Sequence, residues 1–148
     1  MKLKSEVIID ADRATVWRLF DDPDNLARWQ PALESARLVS GARGRPDAVS
    51  ELVYDENGRK VVLTETITAR REPDFIGGTY ASGTGSAVVL HRFEDAGDDR
   101  TRWIGHWNHS FNGAMRFLAL LFRRSMQKRV EADMRRFRDF VHARTGND

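Results

Sequence analysis

The densest group of chemically capable side chains in this sequence is the stretch WIGHWNH, residues 103–109, which holds two tryptophans and two histidines. A group of this kind can belong to a metal site, a catalytic histidine or the wall of a cavity. On a β-strand, however, residues three apart point to opposite faces of the sheet. His106 and His109 therefore cannot share a metal ion, and we expect His106 to face solvent.

Two other titratable residues, Glu65 and His91, are predicted to point toward one face of a sheet. Glu65 could orient the polar end of a ligand, or act as an acid or base after burial raises the pKa of its carboxyl group. The structural alternative is that Glu65 pairs with an arginine or lies near the open end of the sheet. His91 is a candidate general base, or else a hydrogen-bonded core histidine.

The sequence excludes several classes of site. It has no cysteine, so it holds no disulfide, thiolate zinc site or cysteine nucleophile. The stretch GTGSA, residues 83–87, is not the nucleophile elbow of a Ser–His–Asp triad. It joins two strands and opens no helix, so it is also a poor match to a phosphate-binding loop. We therefore expect no metal and no cofactor.

Length and composition favour a single globular domain, which we predict to span residues 1–148. The 148 residues can bury a substantial core, and 41% of them are hydrophobic against 31% charged. The N-terminus lacks the apolar segment of a signal peptide, and the longest apolar run, FLALLF, is too short to cross a bilayer. These features predict a cytoplasmic protein.

Charge is distributed unevenly along the chain, although the net charge is only +2. From Gly113 onward there are nine Lys/Arg and four Asp/Glu, which gives +5 and leaves −3 for the first 112 residues. Such a segment could make a weak contact with an anionic membrane, although a solvated helix face is the commoner explanation. We expect no nucleic-acid binding.

The periodicity of apolar residues predicts strands followed by a long helix. Residues 2–10 alternate as a strand, Asp12 and Asp22 can cap two short helices, and Pro23 suits the first position of the second. The period is then two, which predicts six strands at about 33–41, 47–55, 60–69, 74–82, 85–94 and 101–111. A helix from about Gly113 to Ala143 carries one apolar stripe, made of Met115, Leu118, Phe122, Met126, Val130, Met134, Phe137 and Val141.

Turn signals predict which strand residues share the face that meets this helix. Asn57-Gly58 demands a two-residue type I′ hairpin. Turns at Arg71-Glu72 and Gly83-Thr84, with a longer loop centred on Gly97, align the remaining strands. One inward row is then small, and it consists of Ser50, Glu65, Gly78, Val89 and Gly105. This pattern predicts a concave apolar pocket, with the alternative that the glycines serve only to bend the sheet.

The order of elements and the opening VIIDADRATVWRLFDDPDNLARWQP resemble the START-like (SRPBCC) superfamily, in its polyketide cyclase/dehydratase-like branch. The resembling residues are VW at 16–17, DP at 22–23, Trp29 and Pro31, and they are followed by the antiparallel strands and the final helix. The resemblance implies an α+β helix-grip fold, with a seven-stranded curved antiparallel sheet wrapped around a long C-terminal helix. It also implies a cavity between helix and sheet. Members of the superfamily bind lipids, sterols, polyketides or other apolar ligands, and only some are enzymes.

These observations lead to a functional prediction with two alternatives. We predict binding or carriage of an apolar small molecule between the sheet and the helix, where the FLALLF segment could also line the pocket. The first alternative is a cofactor-independent polyketide cyclase or dehydratase with Glu65 or His91 as its base, and the second is a role at an anionic membrane. The predicted ligand-binding residues are Trp29, Leu63, Glu65, Tyr80, His91, Trp103, Trp107 and Met126.

Overall fold

The computed structural model describes residues 1–146, in which seven antiparallel strands form one sheet and a long helix ends the chain. The elements are β1 (Lys2–Ile9), α1 (Arg13–Asp21), a 3-10 turn (Pro23–Asn25), α2 (Leu26–Trp29), β2 (Leu33–Ser40), β3 (Val49–Glu56), β4 (Arg59–Arg71), β5 (Phe75–Ser82), β6 (Gly85–Gly97), β7 (Arg100–Phe111) and α3 (Met115–Thr145). The strand order is β1-β7-β6-β5-β4-β3-β2. The predicted fold class is therefore confirmed, and each predicted strand lies within a few residues of its observed bounds.

The two short helices begin where side-chain caps were predicted. Asp12 accepts a hydrogen bond from the backbone N–H of Thr15 at 3.3 Å, and it also accepts one from that residue's hydroxyl at 2.6 Å. Asp22 accepts from the N–H of Asp24 at 3.0 Å and starts the 3-10 turn, with Pro23 at its first position. These caps satisfy N–H groups that have no partner inside a helix.

The strand registers follow the turn chemistry only where the turn itself was read correctly. Asn57-Gly58 sets Glu56 opposite Arg59 and Ser50 opposite Glu65, as predicted. The β4–β5 and β6–β7 registers differ from the prediction by two residues. Because an even shift keeps every side chain on its predicted face, the inward face was predicted correctly while the neighbours across it were not.

Each shift has a local cause. Between β4 and β5 a bulge at Ile67/Ala69 and a turn through residues 72–74 bring Glu65 opposite Tyr80 instead of Gly78. Between β6 and β7 the turn is formed by Asp98 and Asp99, which both have positive φ, and is not centred on Gly97, while a bulge at Asp95/Gly97 brings the shift to two residues.

The packed core occupies one end of the molecule, where α1 and α2 meet the second half of α3. Its largest fully buried side chains include Phe93, Trp103 and Phe137, and the ring of Phe137 lies edge-on to Trp103 with centroids 5.1 Å apart. Phe20 contacts these rings from α1. Interlocked aromatic rings bury large areas and fill this end of the space between helix and sheet.

Helix α3 lies alongside β1 and runs in the same direction. Gln127 donates to the carbonyl of Lys4 at 2.9 Å, and farther along His142 Nε2 accepts from the N–H of Asp10 at 2.9 Å. Within residues 1–146, α3 and the other helices are all too short or too polar to span a membrane.

The apolar stripe predicted for the whole of α3 is wrong for its first turns. Met134, Phe137 and Val141 are buried, whereas Leu118 and Phe122 are 43% and 51% exposed. The reason is length, because 31 helical residues extend about 46 Å while the eight residues of β1 extend about 27 Å. Of the FLALLF segment only Ala119 is buried, and the segment does not line the cavity described below.

Candidate ligand-binding cavity

A cavity of about 550 Å³ lies between the sheet and α3, next to the packed core. Strands β3 to β7 provide its floor, α2 and β2 close one side, and α3 covers it through Met126, Val130 and Met134. A volume in this range suits a small organic molecule, and most of the wall is aliphatic or aromatic.

All eight residues predicted to bind a ligand lie on the wall of this one cavity. They are Trp29, Leu63, Glu65, Tyr80, His91, Trp103, Trp107 and Met126. Trp29 and Trp103 are almost completely buried and contact the cavity from the core side, whereas Trp107 is half-buried. The structure thus brings the set together, and its part in binding stays a prediction.

Glu65 and Tyr80 form a polar pair on the wall. They lie directly opposite each other on β4 and β5, and the Tyr80 hydroxyl donates to Glu65 Oε2 at 2.6 Å. Burial raises the pKa of the Glu65 carboxyl group, and the hydrogen bond from Tyr80 opposes that change. Burial also raises the pKa of Tyr80 well above its ordinary value, and the nearby Glu65 charge acts in the same direction.

The predicted reason for the space around Glu65 is wrong. We expected Gly105 to open a gap that Glu65 enters from another strand, but the indole of Trp107 covers Gly105. A Cβ atom at Gly105 would lie 2.2 Å from ring atom Cη2 of Trp107. At Gly78 a Cβ would lie 2.8 Å from the carbonyl oxygen of Thr66. Both glycines allow close packing, and the cavity is instead the space between the sheet and α3 that side chains leave unfilled.

His91 lies in an aromatic part of the wall, nearer to the core. Its Nδ1 accepts a hydrogen bond from Trp103 Nε1 at 3.2 Å, and the ring of Phe20 lies 5.0 Å away, centroid to centroid. Burial lowers the pKa of His91 to about 4, so the imidazole is neutral at pH 7. With Nδ1 acting as acceptor, the proton of the neutral ring is on Nε2, which can donate to a ligand.

The wall also carries polar residues that the sequence interpretation did not include among the site residues, among them Gln30, Tyr54, Glu56, Arg129 and Asp133. The Tyr54 hydroxyl donates to Gln30 Oε1 at 2.7 Å, and Arg129 forms an ion pair with Glu56. Burial raises the pKa values of Tyr54 and Asp133. The inward parity of β3 already contained Tyr54 and Glu56, while Arg129 and Asp133 flank Val130 of the helical stripe. The sequence signal was therefore available for each of these five residues except Gln30.

The predicted polar residues therefore occupy two separated positions on a mostly apolar wall. Tyr80 lies opposite Ala87, and His91 is four residues farther along β6, which corresponds to about 13 Å along the strand. Among residues 1–146 there is no cluster of three His, Asp or Glu side chains that could hold a metal ion. The arrangement can orient an elongated apolar molecule that carries a polar group at one or both ends.

The fold and this cavity together define a class, the START-like helix-grip proteins, in which a curved antiparallel sheet and a long C-terminal helix enclose a cavity. Residues 1–141 match the family model described as polyketide cyclase / dehydrase and lipid transport. The chain belongs to this family. No curated protein matches its sequence.

Solved structures with the same fold cover nearly the whole chain. The protein TTHA0849 from Thermus thermophilus aligns with a TM-score of 0.81 at 21% identity, covering 97% of this chain and 98% of that one. The Zhui aromatase/cyclase from Streptomyces sp. R1128 gives 0.80 at 15% identity, covering 98% and 95%. A START superfamily protein from Mycobacterium smegmatis gives 0.73 at 14% identity, covering 94% and 98%. Such low identities show a shared fold alone.

Proposed function

We propose that the protein binds and carries an apolar small molecule, such as a lipid or a polyketide, in the cavity between the sheet and α3. The observation that carries this proposal is a cavity of about 550 Å³ with a mostly apolar wall. Family membership supports it in general terms, since the family description includes both cyclases and lipid transport. A largely preformed apolar pocket with a few polar groups is the usual form of a small-molecule site.

The polar groups of the wall could orient a bound ligand through hydrogen bonds. Glu65 has one oxygen bonded to Tyr80, and its carboxyl group can accept from a ligand hydroxyl or, when protonated, donate to a carbonyl. At the other position His91 offers an N–H donor among aromatic rings. A ligand with a ring at the His91 end and an oxygen near Glu65 would satisfy both.

The direct test is to identify what the protein binds. Protein purified without detergent is extracted with organic solvent for mass spectrometry. Binding of a long-chain fatty acid and of a polycyclic phenol is then measured by the fluorescence of the wall tryptophans, Trp29, Trp103 and Trp107. We expect a co-purifying apolar compound or saturable binding of one compound class. Absence of both would reject the proposal.

A second candidate function is a cofactor-independent cyclase or dehydratase acting by proton transfer. It is favoured by the buried Glu65 carboxyl, whose raised pKa brings it closer to neutral pH, as suits an acid–base catalyst. His91 is the other candidate base, and its Nδ1 could take a substrate proton only after giving up the hydrogen bond from Trp103. The fold likeness to an aromatase/cyclase is consistent with this but extends only to the fold.

The two functions separate in one experiment. Wild type, Glu65→Gln and His91→Gln are assayed for turnover of aromatic polyketide precursors and, in parallel, for binding of the products. Turnover that falls at least about a hundredfold in one variant while product binding changes less than about tenfold supports catalysis. Turnover that is unchanged in both variants rejects the assignment of these residues as acid or base.

A further inference from the structure

The first turns of α3 expose an apolar surface that the cavity does not use. We call it the FLALLF patch: Phe117, Leu118, Leu120, Leu121 and Phe122. Leu120 and Leu121 are 69% and 77% exposed, and Phe117 is 76% exposed. At 100° per residue the five side chains cover about 200° of the helix surface, and Ala119, which is buried, lies on the opposite side. Contiguous exposed apolar side chains of this size mark an interaction site.

Basic side chains surround the FLALLF patch. Residues 112–130 contain five Lys/Arg and no Asp or Glu. Arg124 and Lys128 follow Leu121 at intervals of three and four residues, so they continue the same face of α3, and both are exposed. Arg129 has a partner in Glu56 on β3, and Arg123 donates to the carbonyl of Lys2 at 3.2 Å, whereas Arg116, Arg124 and Lys128 are exposed.

This combination favours an anionic lipid surface over a second copy of the chain. A two-fold dimer through the patch would bring Arg116, Arg124 and Lys128 of the two copies close together, without any acidic residue of the segment to offset their charge. An anionic bilayer instead offers an acyl region for the Phe and Leu side chains and phosphates for the cations. The six-residue run is too short to span, so the helix would lie on the surface.

We infer that the protein docks on anionic phospholipid membranes through the FLALLF patch, with Arg116, Arg124 and Lys128 contacting the lipid phosphates. The same helix reaches the cavity wall at Met126 and Val130, and Val130 is about 14 Å along the axis from Leu121. Docking would therefore bring the N-terminal end of α3, the helix that covers the cavity, to the bilayer. The inference does not depend on the identity of a cavity ligand, so the two proposals can fail separately.

Sedimentation with large vesicles tests this directly. Vesicles of phosphatidylcholine alone, and of phosphatidylcholine with about a quarter phosphatidylglycerol, are compared at about 50 mM and about 500 mM NaCl. We expect binding to the anionic vesicles at low salt, and weaker binding at high salt and to neutral vesicles. Failure to bind the anionic vesicles at low salt would overturn the inference.

Paired variants locate the contact. Leu120→Asp with Leu121→Asp should lower partitioning at least about tenfold, because it removes inserted side chains and adds repulsion. Val62→Asp with Val88→Asp is the matched control, since both valines are 48% exposed on the outer face of the sheet. Equal binding by the patch variant and the control variant would contradict the inference.

Charge is tested in the same way. Arg124→Gln with Lys128→Gln should reduce binding about tenfold at low salt, while Arg18→Gln with Arg28→Gln, exposed on α1 and α2, should change it much less. Sedimentation velocity without lipid tests the competing possibility, a dimer formed through the FLALLF patch. A dimer that Leu121→Asp dissociates would assign the patch to a second copy and overturn docking on lipid.

Discussion

Burial shifts the pKa values of Glu65 and His91, two residues of the cavity wall, in opposite directions. Burial raises the pKa of the acid and lowers that of the base, so both changes favour the uncharged side chain. The uncharged forms of these two side chains suit an apolar ligand, because a buried charge without a partner is expensive. The remaining charged groups on the wall include Arg129 and Glu56, which neutralise each other in an ion pair.

The first prediction concerns the contribution of His91 to the stability of the protein at low pH. Its pKa of about 4, below its ordinary value of 6.5, means that the unfolded chain binds a proton that the folded protein excludes. The free energy of unfolding should therefore fall as the pH drops from about 7.5 to 4.5, with a contribution from His91 on the order of 2 to 3 kcal/mol. His91→Gln keeps an acceptor for Trp103 and should lose this contribution, as measured by urea unfolding.

The control for this measurement is the exposed histidine on β7, as the variant His106→Gln. It removes one imidazole from the surface and leaves the cavity intact. If His91→Gln shows the same loss of stability in acid as wild type, then His91 is not buried in its neutral form.

The second prediction concerns Glu65 and has the opposite sign. A carboxyl group with a raised pKa holds its proton in the folded state, so ionisation costs stability as the pH rises above its ordinary value of 4.5 and through the folded-state value. Glu65→Gln removes this cost and retains an acceptor for Tyr80. The thermal midpoint of the variant relative to wild type should therefore rise between about pH 4 and pH 7.

Glu6→Gln on β1, an exposed site, gives the comparison for a change of one surface charge. A relative midpoint of Glu65→Gln that stays constant over this range would show that Glu65 ionises as freely in the folded protein as in the unfolded chain.

At the scale of elements, α3 combines two environments that the sequence pattern presents as one stripe. Heptad-like spacing shows which face of a helix is apolar, but it does not show where the partner sheet ends. Phe117 and Phe137 belong to the same helix and are 76% and 0% exposed. The difference arises because the helix is longer than the strand beside it, which no local pattern encodes.

The third prediction uses this pair. Phe137→Ala should lower the free energy of unfolding by about 3 to 5 kcal/mol, because it removes a ring that contacts Phe20, Trp29 and Trp103 and leaves a cavity. Phe117→Ala on the exposed turn should change it by less than about 0.5 kcal/mol. Chemical denaturation measures both, and comparable losses would place Phe117 against the body of the protein.

The sheet shows which strand pairings can be predicted from the residues of the turns. Asn57-Gly58 permitted one turn geometry, and the β3–β4 pairing was predicted residue for residue. The bulge at Ile67/Ala69 and the Asp98-Asp99 turn have no comparable signature, so Glu65 was paired with Gly78 in place of Tyr80. Both register errors were shifts of two residues, so each side chain stayed on its predicted face of the sheet. For that reason the cavity residues were predicted better than their cross-strand neighbours.

At the scale of the whole molecule, packing and binding occupy different ends. The aromatic core around Phe93 and Phe137 joins α1, α2 and the second half of α3, while the cavity lies beside it under the middle of α3. Wall residues outside the core cluster, such as Leu63 and Ala87, can therefore be altered with little loss of the core. The resemblance to START-like proteins predicted this cavity. The extent of the cavity depends on how far α3 stands from the sheet, and no local sequence pattern shows that distance.

The central claim is that an apolar ligand occupies this cavity, and two neighbouring residues of β6 test it. Ala87 is buried, lies on the cavity wall and is opposite Tyr80, whereas Val88 is 48% exposed on the other face of the sheet. Ala87→Phe places a ring in the cavity, and Val88→Phe places the same ring in solvent. Tryptophan fluorescence titration with the ligand identified by extraction, or with anilinonaphthalene sulfonate, gives the affinities. We predict that Ala87→Phe weakens binding at least about tenfold, which corresponds to about 1.4 kcal/mol. Val88→Phe should bind with wild-type affinity. Equal affinities for the two variants would contradict binding in this cavity.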